Sequence, residues 1–149
     1  MSIVREDSIR FLETSPLFAG LSRRQTKRLR EHFSEGVYRA DRRILARGMH
    51  GMELFIIIDG NVEVTRGDEL IAVLGPGEFF GEVAALDGGP HTATVRTTTQ
   101  VRCLYLANQS LRPFLVEHPQ VAVTFLHQMV RRFRSAVSSR ERVVTSAPA

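Results

Sequence analysis

The chain has 149 residues, 43% of them hydrophobic, with a formal net charge of +4 at pH 7; this is the size of one domain that buries roughly 70% of its unfolded surface and needs no disulfide or metal staple. Its single cysteine, Cys103, excludes an intrachain disulfide, fits a reducing cytoplasm and reads as a small buried residue of an apolar strand. The longest strongly apolar stretch, 55–58, falls far short of a bilayer-spanning run of roughly 20 residues, and residues 1–10 have no signal-peptide core, so a cytoplasmic protein without a membrane span is expected.

Residues 2–12 are expected to form a short helix with Ile3, Ile9 and Leu12 on its apolar side, followed by a connector at 15–21 punctuated by Pro16 and Gly20. Ser22 and Gln25 make the S-x-x-Q pattern of a capping box, and Leu29 and Phe33 continue the apolar stripe of the helix it opens. From 35 to 106 the texture is that of strands. Residues 53–58 are β-rich, Asp59-Gly60-Asn61 is a hairpin signal, and 62–65 alternates. Gly67-Asp68 makes a second turn, 69–74 another strand, Gly75-Pro76-Gly77 a further turn, and 92–97 and 101–106 two more strands. Many short strands at this spacing imply a sandwich or barrel.

After Asn108, a candidate N-cap, the texture is helical again. Pro113 should break or kink the first of these helices unless it lies in the first turn, and Pro119 opens a longer one. There Ala122, Phe125, Leu126, Met129, Val130, Phe133 and Val137 fall on one stripe, which is either core packing or a dimer seam. Phe125, Met129 and Phe133 are the seam candidates. One domain over 1–142 and a disordered tail over 143–149 are expected.

Arginine clusters recur at 23–30, 39–47 and 131–142. Such charge attracts nucleic acid or anionic lipid, but no helix-turn-helix or other base-reading element accompanies it. Solvated helix faces and loops are the preferred reading, and nucleic acid is not expected as a partner. His32, His50, His118 and His127 lack metal-ligand spacing, so no metal site is expected.

The informative stretch is FFGEVAALDGGPHTATV, residues 79–95. A strand ends at Phe80, and Gly81 permits close backbone approach to a ligand. Glu82 opens a short helix whose free N–H groups suit an anion. Its carboxylate has the wrong sign for phosphate and suits a hydroxyl instead. Asp87-Gly88-Gly89-Pro90 turns the chain, and Thr92-Ala93-Thr94-Val95 resumes with small residues that leave space. A pocket with Glu82 and His91 but no nucleophile or metal is a poor catalytic site, so no enzyme activity and no catalytic residue are expected.

This stretch resembles the phosphate-binding cassette of cyclic nucleotide-binding domains, as in catabolite-activator-type regulators, cyclic-nucleotide-dependent kinases and gated channels. FGEVAAL followed by PHTATV is similar to the family's F-G-E-[LIV]-A-L-L, short loop, P-R-[AST]-A-T-V. The connector at 16–22, the strand and turn at 54–61 and the turn at 75–79 resemble family segments in the same order.

The resemblance implies an eight-stranded antiparallel jelly-roll β-barrel with N-terminal helices and two C-terminal helices, and cAMP or cGMP as ligand. It places Glu82 on the ribose 2′-hydroxyl beside Gly81, the N–H groups of Val83 and Ala84 on the cyclic phosphate, Thr92 near phosphate and base, and Ala93 on the ligand through its backbone. It also implies a signal relay, for which Leu86 facing Phe114 or Leu115 is the candidate.

One position departs from the pattern. The family's phosphate-binding arginine is His91 here. Arginine offers a permanent charge and a fork of donors, whereas imidazole, with an ordinary pKa near 6.5, is mostly neutral at pH 7. Loss of one side of a buried charge pair costs roughly 2–5 kcal/mol, about 30-fold to several thousand-fold in affinity. Three readings stay open: a sensor that binds cyclic nucleotide, at full or weakened affinity, and acts on a protein effector; a degenerate scaffold that works by protein–protein contact or homodimerisation; and, least favoured, a nucleic-acid-binding regulator that has lost or never had its reading domain.

Overall fold

Five consecutive apolar residues, Leu54 to Ile58, are buried at the centre of the molecule. A strand alternates its faces, so a continuous apolar run requires cover on both sides, and this strand has it. Leu54, Ile56 and Ile58 face a core shared with helices, while Phe55 and Ile57 face the interior of a barrel. The computed structural model describes residues 4–51 and 53–146, with side chains as far as residue 138.

Eight strands form two four-stranded sheets. They are β1 (Ser34–Tyr38), β2 (Arg43–Leu45), β3 (Glu53–Asp59), β4 (Val62–Arg66), β5 (Glu69–Leu74), β6 (Phe79–Phe80), β7 (Thr94–Thr97) and β8 (Val101–Ala107). One sheet has the order β1-β8-β3-β6 and the other β2-β7-β4-β5, with every pair antiparallel. This is the expected jelly-roll barrel. Strand β7 begins at Thr94, two residues later than the sequence suggests, because Thr92 and Ala93 belong to the bend that follows His91.

The helices are α1 (Glu6–Thr14), α2 (Arg23–Arg28), α3 (Glu82–Asp87), α4 (Asn108–Glu117) and α5 (Pro119–Ser146), with 3-10 turns at Pro16–Phe18 and Leu29–Glu31. Ile3, expected on the first helix, lies outside the described residues. The capping box at the start of α2 is formed: the Gln25 N–H donates to Ser22 Oγ at 3.1 Å, and the Ser22 N–H to Gln25 Oε1 at 2.8 Å. Helix α1 is tied to the first sheet by the Ser8 hydroxyl, which donates to the buried Glu35 carboxylate, and by an Arg102–Asp7 ion pair at 3.1 Å.

Asn108 is the first residue of α4 and not its cap; Ala107 takes that position without a side-chain bond. Pro113 sits inside α4, which runs on to Glu117. The proline removes one N–H from the ladder, but burial of Leu111 on one side of it and Phe114 on the other holds the helix. Phe114 lies among Phe18, Phe33, His32 and His118 with ring centroids 4.7–6.4 Å away. Helix α5 continues through Ser146, past the start of the expected tail, and residues 147–149 lie outside the described residues.

Candidate functional site

Strand β6 sets the site. Its two phenylalanines point to opposite faces, as strand neighbours must. Phe80 enters the barrel and stacks on Phe55 with centroids 4.9 Å apart, whereas Phe79 enters the helix-side core and stacks on Phe125 of α5 at 4.7 Å. Gly81 follows at φ +82°, in the left-handed region, as the cap of α3. A Cβ at that position would lie 2.5 Å from the Glu53 carbonyl oxygen, so backbone conformation and space both require glycine.

Glu82, the first residue of α3, is met by an arginine from far along the chain. Arg132 Nη1 of α5 lies 3.1 Å from Glu82 Oε1, and both groups are mostly shielded from solvent. The other Arg132 nitrogen, Nη2, donates to the Phe79 carbonyl, and its Cζ lies 3.9 Å from the Phe79 ring centroid. One guanidinium thus makes an ion pair, a backbone hydrogen bond and a cation–π contact. The sequence shows Arg132 only as one of a cluster of basic residues; nothing local to it signals a partner fifty residues upstream.

His91 is 7% exposed. Its carbonyl accepts from the Gly48 N–H and its own N–H donates to the Met49 carbonyl, each at 2.9 Å. Its Nε2 lies where a Cβ on Gly51 would come within 2.7 Å, so the ring fits because Gly51 has no side chain. Burial, seconded by His50, pushes the His91 pKa below the ordinary histidine value, and Glu53 offsets this in part. The imidazole is therefore neutral at pH 7, and position 91 brings no charge to the site. Beside it lies a cleft of about 410 Å³ lined by Arg47, Gly48, Arg66, Pro90, His91 and Thr92.

Of the other candidate residues, Val83 and Ala93 are half-buried, Ala84 is buried, and Thr92 is exposed at the cleft. Leu86 is 47% exposed. Helices α3 and α4 do pack together, but Ala85 is the α3 residue that shares a core with Phe114 and with the flanking Leu115.

The seam candidates divide. Phe125 is buried on Phe79, and Met129 is half-buried against the same core. Phe133 is 69% exposed. The stripe is wider than one face: its inner edge packs on the barrel, and Val123, Leu126, Val130, Phe133 and Val137 form an uncovered outer row. Cys103 is buried in β8, where desolvation pushes its thiol up to about 12. Among the described residues no cluster of His, Cys, Asp and Glu is placed to hold a metal ion, and no helix is long and apolar enough to cross a membrane.

Known proteins resemble this chain in sequence and fold. The chain is 30% identical over 130 residues to the cyclic AMP receptor protein of Thermus thermophilus, covering 84% of this chain and 60% of that protein. It is 32% identical over 96 residues to a CRP-like cAMP-activated global transcriptional regulator of Mycobacterium tuberculosis, covering 61% of this chain and 43% of the relative. It therefore spans between 43% and 60% of the length of these two relatives. The crystal structure of the Thermus thermophilus catabolite activator protein superposes with a TM-score of 0.78 at 27% identity, covering 87% of this chain and 63% of that one. The family model for the cyclic nucleotide-binding domain matches residues 35–118, the span holding every strand but the first residue of β1, together with α3 and α4, and the chain belongs to that family.

Proposed function

We propose that this chain is a ligand-sensing regulatory module that binds a cyclic nucleotide, cAMP or cGMP, beside α3 and passes the binding event to its C-terminal helices. The observation that carries this reading is the Arg132–Glu82 ion pair. It joins the carboxylate best suited to a ribose hydroxyl to the long helix that leaves the barrel. In this reading Glu82 accepts from the 2′-hydroxyl, the Val83 and Ala84 amides and the Thr92 hydroxyl face the phosphate, and Ala93 lines the pocket through its backbone. A ligand that shares Glu82 alters the grip of Arg132 on the cassette. It shifts α5 to the extent that it prefers one helix position over the other.

Titration calorimetry of cAMP and cGMP against the wild type and Glu82→Ala tests the reading. Saturable wild-type binding is expected, weakened at least tenfold in the variant, the scale of one lost charge-assisted hydrogen bond. No heat from either nucleotide at millimolar protein and ligand would sink the sensor reading.

The outer row of α5 favours a second reading, a scaffold that works through another copy of itself or a protein effector. Val123, Leu126, Val130, Phe133 and Val137 recur at alternating spacings of three and four, the pattern of a two-stranded seam.

A further inference from the structure

We propose that Arg47 and Arg66 form a phosphate-ester anchor over the cassette, doing from outside it what an arginine at position 91 would do from within. This deepens the sensor reading and rests on it for the nucleotide. The two arginines come from separate places, Arg47 just beyond β2 and Arg66 at the end of β4, and converge on one cleft with Pro90, His91 and Thr92. Two planar donor forks on one cleft match the tetrahedral oxygens of a phosphate ester.

Both guanidinium groups are free to act. Arg5, Arg96, Arg102 and Arg132 are held in ion pairs, whereas Arg47 and Arg66 have no carboxylate partner among the described residues. Glu69, opposite Arg66 in the β4–β5 hairpin, forms no ion pair with it. The carboxylate of the cassette, Glu82, is already matched by Arg132 and so does not offset the pair. His91 adds no charge of its own, and Thr92 is exposed at the cleft with a hydroxyl that has no protein partner among the described residues.

The frame is fixed even though the tips are exposed. The Arg47 N–H donates to Thr94 Oγ1 at 3.1 Å, and the Gly48 N–H to the His91 carbonyl at 2.9 Å. The Arg47 loop is thereby bonded to the cassette at Thr94 and at His91.

The test is calorimetry with cAMP, AMP and inorganic phosphate at low and at 0.5 M salt, roughly the range over which exposed charges become screened. The proteins are the wild type, Arg47→Gln/Arg66→Gln, Arg47→Lys/Arg66→Lys, and Arg23→Gln/Arg24→Gln, which removes the same charge from α2. The three variants replace exposed side chains only, and thermal melts check that they fold like the wild type. The wild type is expected to bind cAMP, the glutamine pair in the cleft to lose more than about tenfold, the lysine pair to fall between, the α2 control to match the wild type, and the differences to shrink in salt.

Binding of AMP or inorganic phosphate that depends on the same two arginines, with cAMP silent, would keep the anchor and discard the cyclic nucleotide. Wild-type binding of cAMP left unchanged by Arg47→Gln/Arg66→Gln would overturn the anchor while leaving the sensor reading in place. Silence from the wild type with all three probes would overturn both.

Discussion

The ring of His91 lies in a slot made by Gly51, its backbone is bonded to Gly48 and Met49, and its pKa is pushed down by burial. The sign of the pH effect follows. An unfolded histidine titrates near 6.5, and the folded protein prefers the neutral ring. The stability this contributes is fully present above that value and is lost as pH falls through it toward the lowered folded value. Melting temperatures measured from pH 7.5 to 5.0 should drop for the wild type and drop less for His91→Gln; parallel curves would show that the ring is protonated without cost. Gly81 makes the second residue-scale prediction. Alanine there must adopt φ +82° and press on the Glu53 carbonyl, so Gly81→Ala should lower the unfolding free energy by about 1–3 kcal/mol in urea titration.

At the scale of elements, α5 has two jobs on two faces. Val121 and Phe125 are buried in the helix-side core, and Arg132, two turns further on, clasps Phe79 and Glu82. The ion pair is partly solvated and contributes modestly; the cation–π contact adds about 0.5–2 kcal/mol. Arg132→Ala should therefore cost about 1 kcal/mol globally, with faster amide hydrogen exchange concentrated in α5 around 128–136 and in α3. Exchange unchanged in both helices would mean that Arg132 does not couple them.

For the whole molecule, the barrel and its helix layer are two cores that share β3, β6 and β8. The outer row of α5 lies outside both. If that row is a seam, sedimentation equilibrium should give a dimer for the wild type and a monomer for Leu126→Glu/Phe133→Glu, because a charge facing its own copy is unpaired and desolvated. A wild type that stays monomeric at the highest attainable concentration sets the dimer aside.

Much of this molecule was legible locally. Period-two runs and glycine turns mark the strands, the S-x-x-Q capping box marks the start of α2, and the F-G-E and P-H-T-A-T-V segments mark the cassette, because turn geometry, capping and glycine-dependent backbone conformations are written in residues a few positions apart. Pro113 misleads at that same range: tertiary burial of Leu111 and Phe114 carries α4 through a residue whose local preference opposes it.

The sequence by itself determined a sandwich or barrel of short strands, which the family resemblance narrowed to the jelly roll, together with the position of the cassette and the absence of an arginine at 91, since each depends on near neighbours and on motif order. Only the tertiary structure decided that Arg132 meets Glu82, that Arg47 and Arg66 converge on His91, and that the α5 stripe splits into a buried and an exposed edge. Those facts depend on how distant segments pack, and hydrophobic periodicity reports only that a face is apolar, not what covers it.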